Sequence, residues 1–223
     1  MRVVVSTCDK YAHLLPGFAW CWNKYWGAPV DVLGFTPPAG LPDNFTFHRL
    51  AERETEPWST HLRPWFEACE DERILFLFDD YWLIKPIDLA RVAWMEGIVA
   101  ADADKGDLSN NTAGFSHVVL TPDLVLATQG AQYRSSTQPA IWRRDYLLRL
   151  LQPGWNPWEF ELTAPAGNDG ARIVGPVAPI ISMGHQYANM YWKGKWHHIM
   201  VEKIPPEDRA ELVRLGHMPK EIL

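Results

Sequence analysis

Two adjacent aspartates, Asp79 and Asp80, follow directly on residues 74–78, a run of five large apolar side chains. A run that short and uninterrupted reads as a strand covered on both faces. In an open α/β sheet, ligands bind beyond the carboxyl ends of the strands, so the pair is expected at the rim of a binding crevice. Crowded carboxylates repel each other and lose hydration, which suits a visiting divalent cation or a set of positive groups. The plainer alternative is that one aspartate caps the next turn and the other is solvated.

A second stretch, Asn156-Pro157-Trp158-Glu159-Phe160-Glu161, carries carboxylates in a different setting. Asn156 as N-cap, Pro157 at the first helical position and Glu159 at the third form a capping box, so a helix should start here. Either Glu159 caps and Glu161 is solvated, or a carboxylate at the helix entrance acts as a general base. A third stretch, Tyr191-Trp192-Lys193-Gly194-Lys195-Trp196-His197-His198, is basic and aromatic. Its lysines could grip a diphosphate and a histidine could complete a metal site, while an exposed hairpin with snorkelling lysines fits the same residues.

Elements must exist to carry these groups. The chain has 223 residues, 47% hydrophobic and 22% charged, enough for one sizeable domain with an ample core. A formal net charge of -6 argues against a surface built throughout to grip nucleic acid or anionic membrane. Cys8, Cys21 and Cys69 lie far apart, so neither a disulfide framework nor a structural zinc site is indicated, and a reducing cytoplasm is the expected location. The start turns polar after three valines, unlike a signal peptide, and no stretch reaches transmembrane length.

Residues 2–6 read as the first strand, followed by the loop Ser6-Thr7-Cys8-Asp9. No glycine-rich phosphate loop follows it, which speaks against a dinucleotide dehydrogenase or a P-loop enzyme. Pro16 suits the first turn of a helix bearing Phe18, Trp22, Tyr25 and Trp26 at helical spacing. Strands are expected at 30–35 and 45–50, then a helix with Trp58, Leu62, Trp65, Phe66 and Cys69 on one face, begun or bent near Pro64. Asp88 should cap a helix, 102–112 is a polar connection, and 115–120 and 124–128 read as short strands or a hairpin, which Pro122-Asp123 would turn. Residues 133–142 read as extended, 143–151 as a short helix, 172–181 as a strand pair, and 206–215 as a last helix serving as a surface lid or interaction element.

The whole chain resembles GT-A-type glycosyltransferases, close to a group of small bacterial and phage proteins. The resemblance is carried by Val5-Ser-Thr-Cys-Asp-Lys-Tyr11, Trp58-Ser59, Leu77-Phe-Asp79-Asp80-Tyr-Trp-Leu83, Ser136-Thr-Gln-Pro-Ala-Ile-Trp142, Asn156 to Glu161 and Lys193-Gly-Lys-Trp196. It implies a single GT-A (Rossmann-like) α/β domain over 1–223, with a mixed, mainly parallel sheet flanked by helices. A nucleotide-sugar half would cover about 1–100 and an acceptor half about 101–223. It implies a nucleoside diphosphate sugar donor, a hydroxyl acceptor, Mn²⁺ or Mg²⁺ at Asp79 and Asp80 with His197, and a hexosyl transfer that a carboxylate base would make inverting. Thr7, Asp9, Trp58, Asp79, Gln138, Lys193 and Lys195 are the implied donor contacts. Glu159, then Glu161, is the implied base, and Trp142 and Trp158 would shape the sugar and acceptor pocket.

The usual acidic motif of such enzymes is Asp-x-Asp, and this chain has Asp-Asp. The acceptor is open among glycan, lipid-linked sugar, small metabolite, protein side chain and hydroxymethylated phage DNA base. Arg134, Arg143, Arg144 and Arg149 are candidates for a local phosphate-binding face. The competing readings are a nucleotidyl- or phosphotransferase, and a non-catalytic module that binds a sugar nucleotide or glycan.

Overall fold

The computed structural model describes residues 1–163 and 168–222. In chain order the elements are β1 (Arg2–Ser6), a 3-10 turn (Ala12–Leu14), α1 (Leu15–Tyr25), β2 (Val30–Gly34), β3 (Phe45–Arg49), α2 (Trp58–Ala68), β4 (Arg73–Phe78) and β5 (Tyr81–Leu83). Then come α3 (Leu89–Ala101), β6 (Lys105–Asp107), α4 (Asn111–Gly114), β7 (His117–Thr121), β8 (Leu124–Ala127), β9 (Ala140–Arg143), α5 (Arg144–Leu150) and α6 (Pro157–Thr163). The chain closes with β10 (Ile173–Pro176), β11 (Tyr187–Asn189), β12 (Tyr191–Trp192), β13 (Lys195–Trp196), α7 (His198–Val201), α8 (Pro206–Arg214) and a 3-10 turn (Lys220–Ile222).

The main sheet is mixed and flanked by helices, as expected for an α/β chain, in the order β3-β2-β1-β4-β9-β6-β10-β8-β7. β2 and β3 run parallel, as do β6 and β10. β9 is antiparallel to β4 and β6, and β8 to β10 and β7. The chain forms two compact units, Met1–Val4 with Arg53–Leu77 and Asp88–Ile180, and Val5–Glu52 with Phe78–Ile87 and Ile181–Leu223.

In the first unit, Ile74, Leu75, Phe76 and Leu77 are buried, which explains the unbroken apolar run of β4. Asp88 caps α3 through the amides of Ala90 and Arg91, as its position predicts. The hairpin β7–β8 forms where expected, with Pro122 and Asp123 between its strands. α2 begins at Trp58 and continues through Pro64. The proline is tolerated because it lies on the exposed face, while Leu62 and Phe66 keep the buried stripe.

Three expectations are corrected here. The polar stretch 102–112 contains a strand, β6, whose Lys105, Gly106 and Asp107 are all buried. Residues 172–181 supply one strand, β10, paired on both sides by β6 and β8 rather than with itself. Of 133–142, only the end is strand; Tyr133 has φ 56°, and the next four residues are buried without regular structure.

In the second unit, α1 presents Leu15, Phe18, Ala19 and Trp22 to the core. α8 is tied to α1, since the buried Asp208 carboxylate accepts from Lys24 and from the Tyr25 hydroxyl. Burial, followed by that carboxylate, holds the Tyr25 hydroxyl well above its ordinary pKa. The helix expected as a surface lid or interaction element is therefore anchored by a buried charge.

Candidate functional site

Strands β1 and β4 end beside each other in the second unit, where the Asp79 amide donates to the Ser6 carbonyl at 3.3 Å. One residue beyond β1, the Thr7 hydroxyl donates to the Asp79 carboxylate at 2.5 Å, and both side chains are buried. Burial and then the neighbouring Asp80 charge raise Asp79 well above the ordinary carboxylate range, while Thr7 and local backbone hydrogen bonds oppose the rise. Asp80 is half-buried, and burial pushes its carboxyl up to about 7, opposed by its own backbone amide. The two aspartates thus do different work: Asp79 is served by protein donors, and Asp80 has the less satisfied carboxylate.

The basic hairpin is brought to this pair by backbone pairing. β5 pairs antiparallel with β11, setting Tyr81 opposite Asn189. The Met190 amide then donates to the Asp80 carbonyl at 2.8 Å, and the His197 amide donates to the Met190 carbonyl at 2.9 Å. Between these staples β12 and β13 form a hairpin whose turn residues, Lys193 and Gly194, both have positive φ, 51° and 77°. A two-residue turn with both residues left-handed matches the strand twist, and glycine supplies the second at little cost. Lys193 and Lys195 are exposed, and Lys193 Nζ lies 4.6 Å from the Trp192 ring centroid. Tyr191 packs against Tyr11 and His13, with ring centroids 5.4 and 5.3 Å apart. Thr7, Asp79, Asp80, Lys193, Lys195 and His197 are all gathered in one unit. Asp9, exposed in the loop after β1, accepts from the Thr36 amide at 3.1 Å.

Trp82 holds this arrangement from beneath. It is fully buried, and its indole N–H donates to the Asp79 carbonyl at 3.0 Å. Its ring centroid is 5.6 Å from that of Trp196 on the hairpin. A Cβ added at Gly17 would stand 2.0 Å from Trp82 Cη2, so α1 can approach only with glycine there. Gly34 in β2 likewise leaves room for the Thr7 methyl group, 2.5 Å from where a Cβ would sit.

The first unit holds the other candidates. The capping box forms as the spacing predicts: the Asn156 amide donates to Glu159 Oε2 at 2.8 Å, and the Glu159 amide donates to Asn156 Oδ1 at 2.9 Å. Glu159 is exposed. Glu161 Oε1 accepts from the Thr137 amide at 2.6 Å and its hydroxyl at 2.7 Å, so this carboxylate fastens a buried loop rather than standing in solvent. Gln138, half-buried, follows directly in that loop. Trp58 is half-buried, 6.1 Å from Phe76 and 5.7 Å from Phe160 between centroids. The next residue, Ser59, exchanges hydrogen bonds with the Trp155 backbone at 2.9 and 3.0 Å. Trp158 is exposed, whereas Trp142 is fully buried and is core rather than a stacking surface.

Sequence reasoning missed a buried ion pair beneath this loop. Lys105 Nζ lies 2.8 Å from Asp107 Oδ1, donates to the carbonyls of Ser136 and Arg134 at 2.9 and 3.2 Å, and sits 4.6 Å from the Trp142 ring centroid. Asp107 accepts in turn from the amide and hydroxyl of Thr112. The only hint in sequence is Gly106, where a Cβ would meet Met95 Sδ at 2.6 Å. Of the four arginines considered for a phosphate face, Arg134 is buried and donates to the carbonyls of Ala127, Thr128 and Ala171, and Arg144 donates to Cys69 O. Arg143 and Arg149 face carboxylates, those of Asp145 and Asp169, at 3.4 and 3.7 Å.

Among the described residues, no three His, Cys, Asp or Glu side chains form a metal cluster, and His197 joins none. Mg²⁺ is commonly held by one or two carboxylates together with substrate phosphates rather than by an all-protein cage. The hard oxygens of Asp80 and Asp79 fit such a shared site. A cavity of about 470 Å³ on α1, lined by Trp20, Lys24 and His217 among others, contains none of the predicted site residues.

No family model matches the chain, and no curated protein matches it. Solved structures do. S. aureus TarS 1–349 in complex with UDP-GlcNAc aligns at TM-score 0.53 and 14% identity, covering 96% of this chain and 65% of that one. A second structure of S. aureus TarS 1–349 gives 0.50 and 15%, covering 96% and 64%. The chain has the GT-A fold. It spans just under two thirds of the TarS fragment's length, 65% and 64% in the two structures. UDP-glucose pyrophosphorylase complexed with UDP-glucose also aligns, at TM-score 0.49 and 7% identity over 96% of this chain and 98% of that one.

Proposed function

We propose that this GT-A chain is a hexosyltransferase that moves a sugar from a nucleoside diphosphate sugar to an acceptor hydroxyl, with inversion at the sugar carbon. The observation that carries the reading is the stapling of the Lys193–Lys195 hairpin to the Asp79-Asp80 loop through Met190. It ties the hairpin that carries the two lysines to the backbone of the loop that carries the two carboxylates, which supports a site for a diphosphate with its counter-ion. That a TarS structure of the same fold holds UDP-GlcNAc supports the donor class.

The reaction's main difficulty is negative charge building on the departing diphosphate. Lys193 and Lys195 offset it directly, and Thr7 keeps Asp79 oriented under the nucleotide. Asp80, with Asp79 beside it, is the residue that would hold Mn²⁺ or Mg²⁺. When bound, such an ion supplies Lewis-acid stabilisation of the same charge. Asp9, Trp58 and Gln138 complete the proposed set of donor contacts. Glu159 is the base that takes the acceptor proton. Glu159 is exposed at a helix entrance with Oε2 accepting from the Asn156 amide, whereas Glu161 is half-buried and its Oε1 accepts twice from Thr137. Base assistance of this kind contributes roughly two to four powers of ten in rate. The acceptor is a hydroxyl compound, and the substrates are those of a cytoplasmic enzyme.

A thermal-shift screen of UDP-, GDP-, CMP- and dTDP-sugars, with and without Mn²⁺, tests the donor assignment, because a ligand of the folded state raises the melting point. The identified donor should then be hydrolysed slowly by the wild type, and far more slowly by folded Asp80→Ala and Glu159→Gln variants. Wild-type turnover in both variants would end the assignment. Donor binding without any hydrolysis would favour a sugar-nucleotide binding module.

A further inference from the structure

The connection from α5 to α6 is laid along α2. Arg63 donates to the carbonyls of Leu148 and Leu151 at 2.9 and 3.0 Å, the Thr60 hydroxyl accepts from the Gly154 amide at 2.9 Å, and the Ser59 hydroxyl accepts from the Trp155 amide at 2.9 Å. Ser59 and Arg63 stand at helical neighbour spacing, so they share one side of α2. Ser59 is the buried member of this set, and it grips twice: its own amide donates to the Trp155 carbonyl at 3.0 Å.

Trp155 is the residue just before the capping box. Its carbonyl and the Asn156 amide belong to one planar peptide unit. Ser59 holds the carbonyl end of that plane, and the amide end donates to Glu159 Oε2 at 2.8 Å. The Ser59 hydroxyl holds the peptide plane on the other side of the Trp155 Cα, so neither plane turns without breaking a bond to a buried residue. Trp58 packs against Phe160, 5.7 Å between ring centroids, so residues on both sides of Glu159 are held from the start of α2.

We infer that Ser59 is a positioning residue for the base: through the Trp155 backbone it sets where the Glu159 carboxylate stands. The inference rests on the reading of Glu159 as the base, and it adds the residue that aims it. Misplacing a reacting group by about 1 Å can cost about 100-fold in rate. The capping box does not prevent this by itself, because Asn156 and Glu159 bond each other and would move as one body. Deleting the Ser59 hydroxyl leaves the Trp155 amide without its acceptor, and a turn of that backbone carries the box with it.

Donor hydrolysis with Mn²⁺ tests this, using whichever UDP-, GDP-, CMP- or dTDP-sugar the wild type hydrolyses fastest. Water stands in for the acceptor: its oxygen bonds to the sugar carbon, the diphosphate leaves with the electron pair of the broken bond, and Glu159 takes the proton. Ser59→Ala should lower kcat by about tenfold or more and leave the donor KM within about twofold, because donor binding does not use the base. Ser59→Cys, a weaker acceptor at the same place, should fall between wild type and Ser59→Ala. In a Glu159→Gln background, itself slowed, Ser59→Ala should cost less than about twofold more, since residues that act as one unit are not additive. If Ser59→Ala does not fold, Ser59→Cys replaces it in the cycle. Equal losses in both backgrounds, a change in KM alone, or wild-type kcat in folded Ser59→Ala would each overturn the inference and leave Glu159 as the base. Wild-type kcat in Glu159→Gln, or a wild type that hydrolyses none of these donors, would overturn the base reading and this inference with it.

Discussion

The Thr7 hydroxyl and the Asp79 carboxylate, 72 positions apart in sequence, are hydrogen-bonded at 2.5 Å at the ends of two strands. The bond gives each of the two aspartates its own part. Asp79 is oriented by the Thr7 hydroxyl, while Asp80 is half-buried with its carboxyl raised by burial.

Thr7→Val keeps the shape and deletes the donor. It should cost about 1 to 3 kcal/mol of stability, because the buried Asp79 loses a partner. Urea unfolding at neutral pH measures it. An unchanged midpoint would mean that the bond contributes nothing to the fold.

Gly17→Ala should be among the most damaging small substitutions in the chain. The added methyl group would lie 2.0 Å from Trp82, whose indole also holds the Asp79 carbonyl. Overpacking of this kind costs about 1 to 3 kcal/mol or more. Thermal melts should show the loss, and tryptophan fluorescence should report a disturbed Trp82.

Glu159→Ala and Glu161→Ala should separate a cap from a clamp. The first removes one half of an exposed capping box, worth less than about 1.5 kcal/mol. The second strands the Thr137 amide and hydroxyl, at about 1 to 3 kcal/mol. Chemical denaturation should rank Glu161→Ala as the less stable, while donor turnover should fall more in Glu159→Ala.

Half-buried His217 has its pKa lowered below the usual histidine value by burial. A histidine depressed in the fold favours the folded state above its unfolded pKa, and this contribution is lost as pH falls through that value towards the folded one. The wild type should therefore lose stability relative to His217→Gln as pH falls from about 7.5 to 5. Paired melts across that range check the sign. A wild type that gains on the variant in acid would contradict it.

The elements legible in the sequence are those whose signals are short-range. Asn156 and Glu159 are three residues apart and exchange the bonds their types predict. Asp88 caps the helix that follows it, and the apolar run of β4 is buried throughout 74–77. The strand β6 was hidden because Lys105 and Asp107 look like loop residues. Their ion pair with each other, together with the carbonyls of residues 134 and 136 and with Thr112, makes their burial tolerable.

By itself, then, the sequence determined where the elements with local signals begin, such as α3 at its Asp88 cap and α6 at its Asn156 capping box, because caps, turns and apolar periodicity act over a few residues. It also marked which side chains could do chemistry. Only the tertiary structure decided that Asp79 belongs to Thr7, that Glu161 belongs to Thr137, and that the Lys193–Lys195 hairpin belongs beside Asp80. Those partners lie 72, 24 and more than 100 positions away. A carboxylate's environment is set by what the fold places within a few ångströms of it, and no local pattern encodes that.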